Sequence, residues 1–244
     1  MSSTAVSGEK VRREKPVIAI DGPAGAGKST MAAHLARRFG FLNLETGAMY
    51  RALALKAIEN DLGFDDEPAL MELARHTRIS LEPQLEGNRV LLDGQDVSRR
   101  VREGDVTAGA SRVSVHSQLR EWMVEQQRLL GQAGGVVMEG RDIGTVVFPD
   151  AEVKIFLDAA PEVRGSRRYK QVLPGGAPEQ AKVTEEAIIR DLKERDDRDR
   201  NRVDSPLRPA EDAVILDSTG MTLDEVLAAA EAVVRSHVEE NRLH

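Results

Sequence analysis

The run Gly22-Pro23-Ala24-Gly25-Ala26-Gly27-Lys28-Ser29 fits the spacing Gly-x-x-x-x-Gly-Lys-Ser/Thr, and no other stretch of the chain limits its fold so tightly. It follows Val17-Ile18-Ala19-Ile20, an apolar β-branched run of the kind buried on both faces of a parallel sheet. After it, Met31, Leu35 and Phe39 recur every fourth residue before Gly40, which predicts a helix ended by a residue free to take positive φ. A strand, a glycine-rich turn and a helix in that order make a phosphate cradle. The glycines let the backbone approach, successive amides point inward, and the helix N-terminus adds roughly half a positive charge. In such a cradle Lys28 reaches the β and γ phosphates and Ser29 offers a hydroxyl to Mg²⁺. Thr30 either meets a more distal part of the phosphate chain or starts the helix.

The remaining chain repeats the alternation. Strands are expected at 41–44, 136–138, 153–157 and 213–216, with helical patterns at roughly 48–60, 105–133 and 185–200. A last helix opens on Thr222-Leu223-Asp224-Glu225, a capping-box sequence. Alternating strands and helices imply an α/β fold, a parallel sheet covered on both faces. Two stretches break the rhythm. Residues 65–105 read as a short helix after Pro68 and two alternating segments, the second ending at the turn signal Asp93-Gly94, hence an inserted antiparallel subdomain. Residues 164–184 carry Arg164, Arg167, Arg168 and Lys170 into Leu173-Pro174-Gly175-Gly176-Ala177-Pro178, which predicts a mobile loop.

Composition narrows the function. Among 244 residues, 34 Lys+Arg face 41 Asp+Glu, a net charge of −7, and the aromatics are one Trp, two Tyr and five Phe. Neither the charge nor the aromatics favour nucleic-acid binding. With no cysteine, disulfides, thiolate metal sites and a cysteine nucleophile are excluded. No apolar run reaches the roughly 18 residues of a membrane span. Residues 1–15 are polar and basic, which predicts a disordered leader rather than a secretory signal, in a cytoplasmic protein.

Three further clusters carry candidate chemistry. Glu139-Gly140-Arg141-Asp142 follows a strand, at the edge where ligands gather in open α/β sheets; Glu139 suits a metal-bound water and Arg141 a bidentate grip on phosphate. Arg195, Asp199 and Arg202 fall on one helical face. Thr46 can cap a helix that carries Arg51. The five histidines lack metal-ligand spacing. No Lys-x-Asp occurs, which argues against a guanine-binding switch, so a small-molecule kinase is favoured. A kinase for another acceptor and a regulatory module cycling between ATP and ADP states stay open on these residues alone.

Taken together, the block 20–30, Thr46-Gly47-Ala48-Met49-Tyr50-Arg51, the block 139–151 and the block 193–202 closely resemble bacterial cytidylate kinases, nucleoside-monophosphate kinases of the P-loop class, and the likeness spans nearly all of 16–240. The resemblance implies a P-loop NTPase fold, a three-layer parallel-sheet core (16–64, 106–163 and 185–240), a monophosphate-binding insertion (about 65–105) and a short lid (about 164–184) in one kinase unit, 16–244. It implies transfer of the γ-phosphoryl of ATP to CMP or dCMP, with Mg²⁺, by a monomer.

Position by position, Gly22 through Thr30 resemble the ATP cradle, with Lys28 catalytic and Ser29 on Mg²⁺. Arg51, Arg141 and Arg195 resemble the clamp on the CMP phosphate, while Asp199 and Arg202 resemble the ribose holders. Thr46 and Tyr50 line the pocket, and Ser111, Arg120 and Asp142 match positions that recognise cytosine. A carboxylate accepts from the exocyclic amine, where uracil would present an acceptor. Arg167 and Arg168 are expected to close on the ATP phosphates. The usual Asp-Gly-Arg-Asp reads Glu139-Gly140-Arg141-Asp142 here, the extra methylene allowing contact with Mg²⁺ through water.

Overall fold

A computed structural model describes residues 13–84, 87–172 and 184–240. The central strand β1 (Val17–Asp21) is buried along its whole length. It pairs in parallel with β6 (Val136–Gly140) and β7 (Val153–Asp158); β2 (Leu42–Glu45) and β8 (Val214–Asp217) complete a five-stranded sheet in the order β2-β6-β1-β7-β8. Alternate side chains of β1 serve different cores, as a two-residue period requires. Val17 and Ala19 join the larger cluster under α2 (Thr46–Glu59), α4 (Gly104–Val113) and α5 (Ser117–Gly131). Ile18 and Ile20 join the cluster under α1 (Lys28–Phe39) and α8 (Leu223–Glu240). Each fully buried isoleucine contributes about 1.5–3 kcal/mol of transfer free energy. All five core strands lie within two residues of their sequence expectation, because continuous apolar runs of this length have few other destinations.

The insertion has a sheet of its own. After α3 (Glu67–Arg75), whose start is capped by Asp66 accepting from Ala69 N at 3.1 Å, β3 (Ile79–Pro83), β4 (Asn88–Leu92) and β5 (Gln95–Asp96) form an antiparallel meander. The Asp93-Gly94 turn has both residues at positive φ, 50° and 85°, as a tight two-residue hairpin requires. Asn88 latches this unit to the core: its side-chain oxygen accepts from Glu45 N at 2.8 Å, and its amide donates to the Asn43 carbonyl at 2.7 Å.

Three expectations needed correction. The pattern over 105–133 is two helices, interrupted at Ser114-Val115-His116. Neither glycine nor proline marks this break. It is held from afar, by the His116 ring against the Phe64 carbonyl (2.7 Å) and by Arg120 donating to the Ser114 carbonyl (3.0 Å). The arginines expected in a loop from 164 sit on helix α6 (Pro161–Val172), which packs against α7 (Glu185–Asn201); the rest of the proposed loop, 173–183, lies outside the described residues. Of the leader, 1–12 lie outside them too, but Arg13 is docked. Its guanidinium bridges Asp150 (2.7 Å) and Glu152 (3.1 Å) and covers the Phe148 ring at 5.3 Å.

Candidate active site

The phosphate loop joins the carboxyl end of β1 to α1. Gly22 adopts φ +149°, and a Cβ there would lie 2.0 Å from the Leu157 carbonyl oxygen, so any side chain would push the loop off β7. Gly27, also at positive φ (103°), leads into α1, whose N-terminus has no side-chain cap and no acid in its first turn. Its first amides and its dipole are thus left to an anion. Lys28 is 6% exposed and donates from Nζ to the Pro23 carbonyl at 2.8 Å.

A cleft of about 700 Å³ opens above this loop. Ala24, Gly25, Gly27, Lys28, Ser29 and Thr30 form one wall. Facing them are Thr46, Tyr50 and Arg51 from α2, Ser111 from α4, Arg120 from α5, Glu139, Arg141 and Asp142 from the end of β6, Arg167 and Arg168 from α6, and Arg195, Asp199 and Arg202 from α7 and its end. Gly22, Pro23 and Ala26 of the same loop are not among the residues that line the cleft. The sequence reading missed Asn43, Glu45 and Arg102, which also line it. Glu45 stands one residue before the Thr46 block and was within reach; Arg102, an exposed residue of a 3₁₀ turn in the insertion, carried no signal beyond a basic run.

The facing wall is a set of paired and unpaired guanidinium groups. Arg141 donates to Asp199 at 2.8 Å, Arg51 to Glu45 at 2.5 Å, and Arg120 to Asp142. Arg202 stands 3.7 Å from Asp199 and 3.9 Å from Asp142. Burial works to raise Asp199, but Arg141, Arg202 and Arg195 hold it below the usual carboxylate range. The Arg195 side chain makes no hydrogen bond or ion pair among the described residues; burial and the neighbouring charge of Arg141 pull it down to about 10. Arg51 Nε, Arg120 Nε and Arg202 Nη2 are buried donors without a hydrogen-bond acceptor. Buried donors in that state cost about 1–3 kcal/mol each. Tyr50 is pushed up to about 12 by burial and stays a neutral phenol, with the Arg120 guanidinium 5.7 Å from its ring centroid.

Between the two walls lies a carboxylate pair. Glu45 and Glu139 sit side by side across β2 and β6. Burial and the nearby Glu45 push Glu139 up, while Lys28 and a hydrogen bond from Ser29 oppose them, and Glu139 Oε1 has no partner. Burial and Arg141 pull Lys28 down, against Glu139 and Asp21. An unsatisfied carboxylate oxygen beside a hydroxyl and a second carboxylate fits a hard, oxygen-seeking divalent cation. A divalent cation beside Glu139 would favour its ionised form, and a polyphosphate beside Lys28 its protonated form. Behind them, Asp21 caps the turn after β6 by accepting from Ile143 N (2.8 Å) and Gly144 N (2.7 Å); burial raises it to about 6 against those bonds.

The α6 arginines differ among themselves. Arg167 gives its terminal nitrogens to Ser218, at 3.0 Å to Oγ and 2.8 Å to the carbonyl. Arg168 makes one long contact, 3.4 Å to Gln171. Arg164 does not line the cleft at all.

Comparison with known proteins bears on what occupies this cleft. A family model described as cytidylate kinase matches residues 18–236. A cytidylate kinase of Aeromonas hydrophila subsp. hydrophila is 48% identical, over 87% of this chain and 90% of that protein. One of Vibrio cholerae is 45% identical, over 91% and 96%. One of a Geobacter strain is 44% identical, over 94% and 97%.

Proposed function

The chain belongs to the cytidylate kinase family, and on that premise we propose how its cleft works as an ATP-dependent (d)CMP kinase. The reaction transfers the γ-phosphoryl of ATP to a phosphate oxygen of CMP or dCMP, giving CDP or dCDP and ADP. The observation that carries the site assignment is Arg195, a guanidinium without a carboxylate of its own, beside Arg141 and facing the phosphate loop. Three cations crowded at one end of a cleft repel one another until an anion arrives.

The acceptor phosphate is already ionised, so no strong general base is required; the protein positions two polyanions and neutralises them. The loop amides and Lys28 hold the donor phosphates, while Arg51, Arg141 and Arg195 hold the acceptor phosphate in line. Mg²⁺, when bound, neutralises and orients the donor phosphates; Ser29 would hold it, with Glu139 reaching it through water. Arg168, the freer of the two α6 arginines that line the cleft, closes on the donor phosphates from above, and Arg167 follows if it leaves Ser218. Asp199 and Arg202 hold the ribose. Asp142 and Arg120 pair with each other across the pocket, and cytosine, offering an amine beside acceptors, can enter between them, with Ser111 alongside. Uracil would set a carbonyl against the buried Asp142, a mismatch worth up to roughly 10⁴-fold in discrimination.

The test is ADP release from ATP and Mg²⁺ with CMP, dCMP, UMP, AMP and GMP offered separately beside a control without acceptor. Fast turnover confined to CMP and dCMP is expected. ATP binding without turnover on any acceptor would leave the arginine wall without a task and favour a regulatory module.

A further inference from the structure

We propose that Arg164 is a positioning residue for the phosphate loop, setting the backbone amide that Gly25 presents to the donor phosphates. The proposal rests on the ATP-binding half of the reading above and not on the acceptor. Arg164 is 1% exposed, the largest fully buried side chain described, and it lies outside the cleft lining. Burying a guanidinium costs several kcal/mol unless its donors are met. Here they are met on three sides: Nε donates to the Ala159 carbonyl at 2.8 Å, Nη1 to the Ala24 carbonyl at 2.8 Å, and Nη2 to Asp196 Oδ2 at 2.6 Å. A leucine or methionine would fill the same space at lower cost. What neither would supply is a grip on the loop.

That grip has a directional consequence. The carbonyl and N–H of a trans peptide point to opposite sides of the chain. By holding the Ala24 carbonyl from behind, Arg164 turns the Gly25 N–H the other way, toward the cleft that Gly25 lines. The stem of Arg164 also backs the loop: a Cβ at Gly25 would lie 3.4 Å from the Arg164 Cβ, at van der Waals distance. Asp196 orients the guanidinium from α7, with its second oxygen unpartnered, so the pair crosses from α6 to α7 next to Arg195. Lysine carries its three N–H donors on a single nitrogen and cannot span the three acceptors that the guanidinium reaches from three separate nitrogens.

The experiment measures binding of a non-hydrolysable ATP analogue with Mg²⁺, and separately of CMP, by calorimetry on the full chain, with melting followed by circular dichroism. Arg164→Met is expected to weaken the analogue about tenfold and Arg164→Lys to recover part of that, with CMP affinity moving less than about twofold. A lower melting temperature with analogue affinity unchanged, or equal weakening of analogue and CMP, overturns the proposal. Should Arg164→Met fail to fold, Asp196→Asn decides: it slackens the guanidinium and leaves the Ala24 bond, so about threefold weaker analogue binding supports the role and none overturns it. Because the analogue is read without an acceptor, a wild-type chain that ignores CMP would sink the acceptor assignment and leave this result standing.

Discussion

The wall proposed for the donor draws on one short stretch, residues 24–30, whereas the wall proposed for the acceptor gathers side chains from α2, α4, α5, the end of β6 and α7. The donor wall is mostly backbone: amides at a helix N-terminus, glycines at positive φ, and one lysine folded back on its own loop. The acceptor wall is mostly guanidinium and carboxylate, cross-paired but for Arg195. A backbone cradle fails only when the loop itself is disturbed. A wall assembled from distant elements fails whenever one of them shifts.

The largest expected effect tests the donor side. Lys28→Met should lower kcat on the order of 10³-fold with the melting temperature unchanged or higher, since a buried cation is replaced by an apolar chain of similar length. Near-normal turnover would remove Lys28 from the chemistry and blur the contrast between the walls.

Next, two neighbouring arginines of the acceptor wall should part company. Arg141→Ala leaves Asp199 buried without its closest partner and is expected to cost about 3 kcal/mol in urea unfolding as well as CMP affinity. Arg195→Ala removes no ion pair; it should raise KM for CMP about tenfold or more while changing stability by less than about 0.5 kcal/mol. Equal destabilisation by both would mean that Arg195 has a structural duty the geometry does not reveal.

The smallest effect concerns the latch of the insertion. Asn88→Ala deletes both hydrogen bonds to the β2 backbone beside Glu45 and Thr46 and should cost about 1–3 kcal/mol. KM for CMP should rise about twofold to threefold with KM for ATP unchanged. A matching rise in the ATP value would show that the insertion serves both walls.

The same contrast explains what could be read before any coordinates. The phosphate loop was legible because its function is local: spacing, glycine and context all sit within one strand–turn–helix unit. The core strands were legible because continuous apolar runs are buried, and so was the capping box, in which Thr222 N donates to the Glu225 carboxylate at 2.8 Å and Glu225 N to the Thr222 hydroxyl at 3.3 Å. By contrast, nothing local distinguishes Arg164, gripping Ala24 and Asp196, from Arg168, which is exposed, since both lie in one basic cluster. The interruption at Ser114-Val115-His116 depends on Phe64, on the far side of the whole insertion, and the docking of Arg13 depends on Phe148, Asp150 and Glu152. Ser111 and Arg120 came from the family resemblance alone, since nothing in their own stretch of sequence marks them, whereas Arg51 and Asp142 already stood in the charged clusters at 46–51 and 139–142.

The strand order also sets a timetable for the nascent chain. Val17 of β1 pairs with Val136, and Ile18 with Val153, so the apolar centre of the sheet has no neighbour until more than half the chain has left the ribosome. At translation rates of about 5–20 residues per second the wait is on the order of 10 s. During it, the insertion, whose β3 and β4 pair over short separations, can close locally, while β1 and its phosphate loop remain an unprotected sticky segment. Chaperone dependence in this protein should therefore concentrate in the interval between synthesis of β1 and arrival of β7, and slowing synthesis within the α4–α5 segment should lower soluble yield without altering the finished enzyme.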